Sequence, residues 1–184
     1  MPDCVRRAVD ADGDDSEGTS VGLEGSAPIL AAGRMEPPEC PHLLRPIPGA
    51  FAAETVLHDL DQAAGGLLLW AAEDEYAVVG KWFYGNRDIR TVTCAGGDPG
   101  TVGRGLLPTG DLLYLRLEYD GERVRALCSA DGAAWLLSAE EPFSSSRPLH
   151  VGLYADGDYD VERVSTTFTD FRVFRPGTAA LASA

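Results

Sequence analysis

The sequence predicts an all-β domain, a sandwich of two packed antiparallel sheets, and three observations carry that prediction. The run Tyr114 to Trp135, YLRLEYDGERVRALCSADGAAW, spells out two alternating strands and two tight turns. Strand-sized apolar runs alternate with clusters of Gly, Pro and Asp along the rest of the chain. No segment carries a helical apolar stripe longer than about two turns.

In chain order the predicted strands are Val21 to Glu24, Pro28 to Ala32, Leu43 to Arg45, Ala50 to Leu57, Gly66 to Ala71, Ala77 to Trp82, Ile89 to Cys94, Leu112 to Tyr119, Arg123 to Ser129, Leu136 to Ser138, Leu149 to Ala155 and Ser165 to Phe174. Between them GDPG (Gly97 to Gly100), Ala130 to Gly132, SSSRP (Ser144 to Pro148) and DGDYD (Asp156 to Asp160) supply turn residues. No repeat of fixed period is visible, which argues against a propeller or solenoid.

The central hairpin also predicts a register. Asp120-Gly121 tolerates the positive φ angles of a two-residue turn, so Tyr119 should face Glu122. Leu117 then opposes Val124, Leu115 opposes Ala126 and Leu113 opposes Cys128 on a core face. Glu118 opposes Arg123 and Arg116 opposes Arg125 on a wet face. Arg116 against Arg125 is a like-charge pair that needs compensation. Either a carboxylate network or an anionic ligand such as an acidic glycan would supply it, with Arg104 nearby.

With 184 residues and 45% hydrophobic content the chain reads as one soluble domain, from residue 9 to 175, with an extension at 1–8 and a fraying tail at 176–184. The apolar run Ala63 to Ala72 is far short of the roughly 20 residues that span a bilayer. No apolar h-region follows the N-terminal arginines, so the expected location is cytoplasmic, or secreted if the chain is cut from a longer precursor. The net charge of -14 argues against nucleic acid and leaves carboxylates free for a cation. Cys4, Cys40, Cys94 and Cys128 match no zinc spacing and are expected reduced. A Cys94–Cys128 bridge requires neighbouring strands with Cα atoms within about 7 Å.

The ordered segments HLLRPIPGAFAAETVL, DQAAGGLLLW, YLRLEYDGERVRALCSADGAAW, LHVGLYADG and TTFTDFRVF carry a resemblance. Together the chain resembles the concanavalin A-like jelly-roll domains of the laminin-G-like and DUF1349 type, and is similar to the C-terminal domains of some bacterial β-xylosidases. The resemblance implies two curved antiparallel sheets, one face convex and one concave, with the concave face holding glycans in relatives that bind them. It implies no activity by itself.

Catalysis on this fold resembles an E-x-D-x-x-E strand motif, which the chain lacks. Glu73-Asp74-Glu75 reads as a solvated turn, and His42, His58 and His150 are scattered with no G-x-S-x-G elbow. No enzyme is expected, and glucanase-like hydrolysis is the least favoured function. Glycan binding needs flat aromatic faces with polar groups beside them. KWFYGNRDIR supplies both: Trp82 and Tyr84 share a parity, with Asn86, Arg87 and Asp88 at the strand end. The plainer alternative makes Trp82 or Phe83 core and the rest a polar loop. Trp135 is expected to close its hairpin onto the core.

With Arg104, Arg116 and Arg125, these residues form the expected concave-face site. No cofactor is expected, with calcium the one alternative. Asp10, Asp12 and Asp14 have the alternate spacing of a calcium loop, but Asp15 replaces the Gly and Val21 the Glu that an EF-hand needs. Asp156, Asp158 and Asp160 repeat the spacing without a following glutamate. The expected function is a carbohydrate- or glycoconjugate-binding module. A protein-interaction domain using its strand edges and arginines is the alternative.

Overall fold

The computed structural model describes residues 5–6, 21–24, 27–32, 40–61, 64–82, 88–106, 109–156 and 164–175, the first three segments as backbone only. It contains fourteen strands among these residues: β1 (Val5–Arg6), β2 (Val21–Glu24), β3 (Ala27–Ala32), β4 (His42–Pro46), β5 (Phe51–His58), β6 (Gly65–Ala72), β7 (Glu75–Lys81), β8 (Asp88–Ala95), β9 (Asp98–Leu106), β10 (Leu112–Tyr119), β11 (Arg123–Ser129), β12 (Leu136–Pro142), β13 (His150–Ala155) and β14 (Val164–Phe174). They form two seven-stranded sheets. Sheet I has the order β1-β4-β13-β6-β7-β8-β9 and sheet II the order β12-β11-β10-β5-β14-β3-β2. The pairings are antiparallel, as a jelly-roll sandwich requires.

Alternation explains why these sequences make sheets. Leu67, Leu69, Ala77, Val79, Ile89, Val151 and Leu153 of sheet I meet Phe51, Leu57, Leu113, Leu115, Leu117 and Phe168 of sheet II in one buried layer. Tyr119 closes one end of that layer, edge-on to Phe143 with ring centroids 6.1 Å apart. Two strands escape the sequence reading. β9 carries Pro99 and three glycines in nine residues, so it reads as a turn; it survives because it is an edge strand, where a missing N–H costs no ladder bond. β1 lies within the expected N-terminal extension and pairs with β4.

The hairpin register differs from the expected one by two residues. Tyr119 faces Val124, Glu118 faces Arg125, Leu117 faces Ala126 and Leu115 faces Cys128. The cause is Asp120. Its Oδ1 accepts the N–H groups of both Glu122 and Arg123 at 2.8 Å, which closes a wider loop than a two-residue turn. The Glu122 N–H is the main reason the Asp120 carboxyl lies below its ordinary pKa. An even shift keeps every side chain on its face, so the core prediction holds while the charge pairing changes. Arg116 opposes Leu127, and Arg125 opposes Glu118.

The Cys94–Cys128 bridge does not form. Cys128 lies between the sheets, Cys94 shares the outward parity of Val92 on sheet I, and both thiols are free. Burial pushes the Cys128 thiol pKa up.

Candidate functional site

Sheet I is buried on its outer face as well. Leu44, Leu68, Tyr76, Val78, Trp82, Val92, Cys94 and Tyr154 form a second apolar cluster, with Trp70 packed against it. Trp70 stacks on Tyr76 at 6.0 Å and meets the His42 ring at 5.4 Å. Tyr154 of β13, Gly66 of β6 and Gly80 of β7 share one cross-strand row. A Cβ built on Gly80 would sit 2.6 Å from the Tyr154 hydroxyl, so the phenol reaches across Gly66 and rests over bare backbone. The missing side chain at Gly80 is what leaves room for the phenol.

The row continues through Arg90 of β8 to Arg104 of β9. Arg90 Nε donates to Asp88 Oδ2 at 3.0 Å, and its guanidinium lies 5.2 Å from the Trp82 ring centre. The Trp82 N–H donates to the Asp88 carbonyl at 3.2 Å, closing the β7–β8 end onto itself. Exposure falls from rim to floor: Arg104 is exposed, Arg90 half-buried, and Asp88 and Tyr154 buried. Two atoms of this cluster are buried with no hydrogen-bond partner, the acceptor Asp88 Oδ1 and the hydroxyl of Tyr154. Burial above all, and then the charge of Asp156, push the Tyr154 pKa far up, so the group is a neutral hydroxyl at any physiological pH.

Tyr154→Phe therefore removes a hydroxyl that forms no bond in the protein. It is expected to leave the urea midpoint unchanged or raised, whereas a hydroxyl bonded within the fold would cost about 1–3 kcal/mol.

The expected site residues are not all brought together. Trp82, Asp88 and Arg104 share the outer face of sheet I. Arg116 and Arg125 lie across the sandwich on the outer face of sheet II, because Leu115, Leu117 and Ala126 beside them point into the core. The anticipated opposition of the two arginines is replaced by an alternating ladder, Glu140–Arg125–Glu118–Arg116–Glu54–Arg172. Its contacts are 3.4, 3.3, 2.7, 2.9 and 3.2 Å in that order. Carboxylates supply the charge compensation, and Arg125 Nε, 3.4 Å from Glu140, is left without a hydrogen bond.

Trp135 also departs from expectation. It is half-buried on this outer face with the Arg116 guanidinium 5.8 Å from its ring, and is absent from both core clusters. Tyr84, Asn86 and Arg87, and the calcium candidates Asp10, Asp12, Asp14, Asp158 and Asp160, lie outside the described residues. Asp156 is buried, its N–H donating to the Ala64 carbonyl. Among the described residues no three metal-ligating side chains converge.

Arg90 and Tyr154 went unread as site residues. Their signal was parity: Asp88 and Arg90 flank inward Ile89, and Tyr154 follows inward Leu153. Of the other acidic and histidine candidates, His150 Nδ1 is buried without a hydrogen-bond partner, and three are engaged structurally. Asp74 binds Arg147, Ser145 donates to Glu75 at 3.0 Å, and His58 Nε2 pairs with Thr169 Oγ1 at 2.7 Å. An open cleft of about 620 Å³ at the opposite end of the sandwich is mostly apolar, lined by Pro46, Ile47, Pro48, Tyr119 and Leu149, with Arg147 already bound to Asp74.

No family model matches the chain, and no curated protein matches its sequence. Solved structures match its fold. A GH43 protein, BlXynB from Bacillus licheniformis, is similar with a TM-score of 0.72 at 14% identity, over 82% of this chain and 33% of that one. A carbohydrate binding module, CBM66 from Bacillus subtilis, is similar with a TM-score of 0.58 at 8% identity, over 85% of this chain and 92% of the module. A functionally unknown protein from Saccharomyces cerevisiae gives 0.65 at 16% identity, over 85% and 92%. The chain thus spans about a third of the GH43 protein and nearly all of the other two. At these identities the likeness is one of fold, an antiparallel β-sandwich of the jelly-roll kind.

Proposed function

We propose that the chain is a non-catalytic carbohydrate-binding module whose site is the end of the sheet I outer face formed by Trp82, Asp88, Arg90, Arg104 and Tyr154. The observation that carries this reading is the pair of unpartnered buried groups, Asp88 Oδ1 and the Tyr154 hydroxyl, beside an arginine stacked on a tryptophan. A buried polar atom without a partner is costly, and a site built to pair with hydroxyls leaves such atoms waiting. Sugar hydroxyls match an acceptor and a hydroxyl in this setting.

The fold likeness to a carbohydrate binding module supports the same reading. The finer kinship with DUF1349 and laminin-G-like domains rests on the order of sequence segments alone. That the module does no hydrolysis is part of the proposal. Glycoside hydrolysis uses two carboxyls flanking one bond, and Asp88 is tied to Arg90.

The test is a glycan array probed with the wild-type chain and with Asp88→Asn, each with calcium and with chelator. Specific binding that falls at least about tenfold in Asp88→Asn is expected, the size of a lost charge-assisted hydrogen bond. Chelator sensitivity would add a cation, which the DGDYD loop would be the first place to seek. A blank array with folded protein overturns the reading. It would favour a partner-docking domain, to which one observation points: Leu136 and Leu137 are 70% and 52% exposed on the edge strand of sheet II, near Trp135.

A further inference from the structure

We infer that the glycan carries carboxylates, so that the module selects uronic-acid-bearing chains over neutral ones; this rests on the proposed function and specifies its ligand. The argument starts from charge. Arg90 and Arg104 are direct cross-strand partners on the outer face of sheet I, a like-charge pair that is unfavourable unless an anion lies between or beside them. Arg90 has Asp88. Arg104 is exposed, and no carboxylate among the described residues pairs with it.

The contrast within the molecule is direct. On the opposite sheet Arg116, Arg123, Arg125 and Arg172 each bind a glutamate. In a chain of net charge -14, carboxylates are abundant, yet among the described residues the rim of this site keeps two guanidiniums against one carboxylate. Asp156, the other acid near Tyr154, follows β13 and is separated from β9 by β6, β7 and β8.

Geometry narrows the anion to one attached to a sugar. The Tyr154 hydroxyl rests over Gly80, and Arg104 lies two strands further along the same row, about 10 Å away at the usual strand spacing. That span accommodates a pyranose ring with its substituent. Hydroxyls of the ring meet the Asp88–Arg90 pair that lies between Tyr154 and Arg104 in the row, above the fully buried Tyr154 hydroxyl, while a carboxylate at the ring's edge meets the Arg104 fork at the rim. A guanidinium pairs with a carboxylate through two parallel N–H bonds, a match that a neutral hydroxymethyl group cannot reproduce.

The experiment is titration calorimetry with three probes: glucuronic-acid-substituted xylo-oligosaccharides, the same oligosaccharides after carboxyl reduction, and a sulfated oligosaccharide. Each is titrated into the wild type, Arg104→Ala and Arg104→Lys, with circular dichroism to check the fold. The wild type is expected to prefer the acidic form over the reduced form by at least about tenfold. In Arg104→Ala the ratio should fall to about one, with Arg104→Lys in between because a point charge keeps attraction and loses the fork. Raising salt should weaken the acidic form more than the reduced form.

Equal binding of acidic and reduced forms would overturn this inference and leave the glycan reading standing. Preference for the sulfated probe over the uronate would overturn the carboxylate assignment. No binding of any probe, together with a blank array, would remove the glycan reading itself.

Discussion

Gly80→Ala is expected to destabilise the fold by about 3 kcal/mol or more, seen as a large fall in the urea midpoint at unchanged slope. A Cβ at this position would meet the Gly65 carbonyl oxygen at 2.3 Å and its carbon at 2.7 Å, both backbone atoms of the neighbouring strand, besides the Tyr154 hydroxyl at 2.6 Å. A side chain can swing aside, but a paired strand moves only by disturbing its ladder. β7 lies between β6 and β8 near the middle of sheet I, so the strain has no free edge to relax into. Gly100→Ala is the control: it lies on edge strand β9 with nothing within 4 Å of the added carbon, and a change within about 0.5 kcal/mol is expected. Equal effects at the two positions would mean that β6 does not press on β7 at Gly80 as this contact requires.

The second large effect is at Glu118. Its side chain is only 7% exposed, accepts from Arg116 at 2.7 Å and lies 3.3 Å from Arg125. Glu118→Ala leaves two half-buried guanidiniums side by side, each reduced to a single outer carboxylate, Glu54 or Glu140. Breaking one member of a buried charge network is costly because the others stay desolvated, and a loss of about 2–4 kcal/mol is expected. Replacing Glu118 and Arg125 together should recover part of it, which a double-mutant cycle measures. By contrast Arg123, whose side chain is 43% exposed, pairs with Glu140 at the surface, and Arg123→Ala should cost under about 1 kcal/mol. Neither ladder variant should alter sugar binding, since the ladder lies across the sandwich from the proposed site.

These expectations mark what the sequence could and could not convey. Parity along one strand is local information, so inward Leu113, Leu115 and Leu117 and outward Arg116 were legible from alternation alone. Sheet membership is not local. Nothing in β10 announces that its outward face is opposite that of β8, and Arg116 and Trp82 were therefore assigned to one surface, although both sheets and the core between them lie between these residues. The hairpin register failed for a chemical reason visible only in three dimensions, the Asp120 carboxylate gathering two backbone N–H groups. β9 was hidden by turn residues that an edge strand tolerates. Trp135 was misread because an aromatic after a turn packs inward or lies across the outer face with equal ease. Here the guanidinium of Arg116, lying 5.3 Å from the Phe174 ring as well, gives it an outward partner.

The most direct test of the account is a two-dimensional nitrogen-15 NMR titration of the wild-type chain with the glucuronic-acid-substituted xylo-oligosaccharide, following tryptophan indole and arginine Nε resonances. The account predicts saturable shifts at Trp82, Arg90 and Arg104, with Trp135, Arg116 and Arg125 unmoved. Shifts confined to Trp135, Arg116 and Arg125 would place the binding surface on sheet II and contradict it.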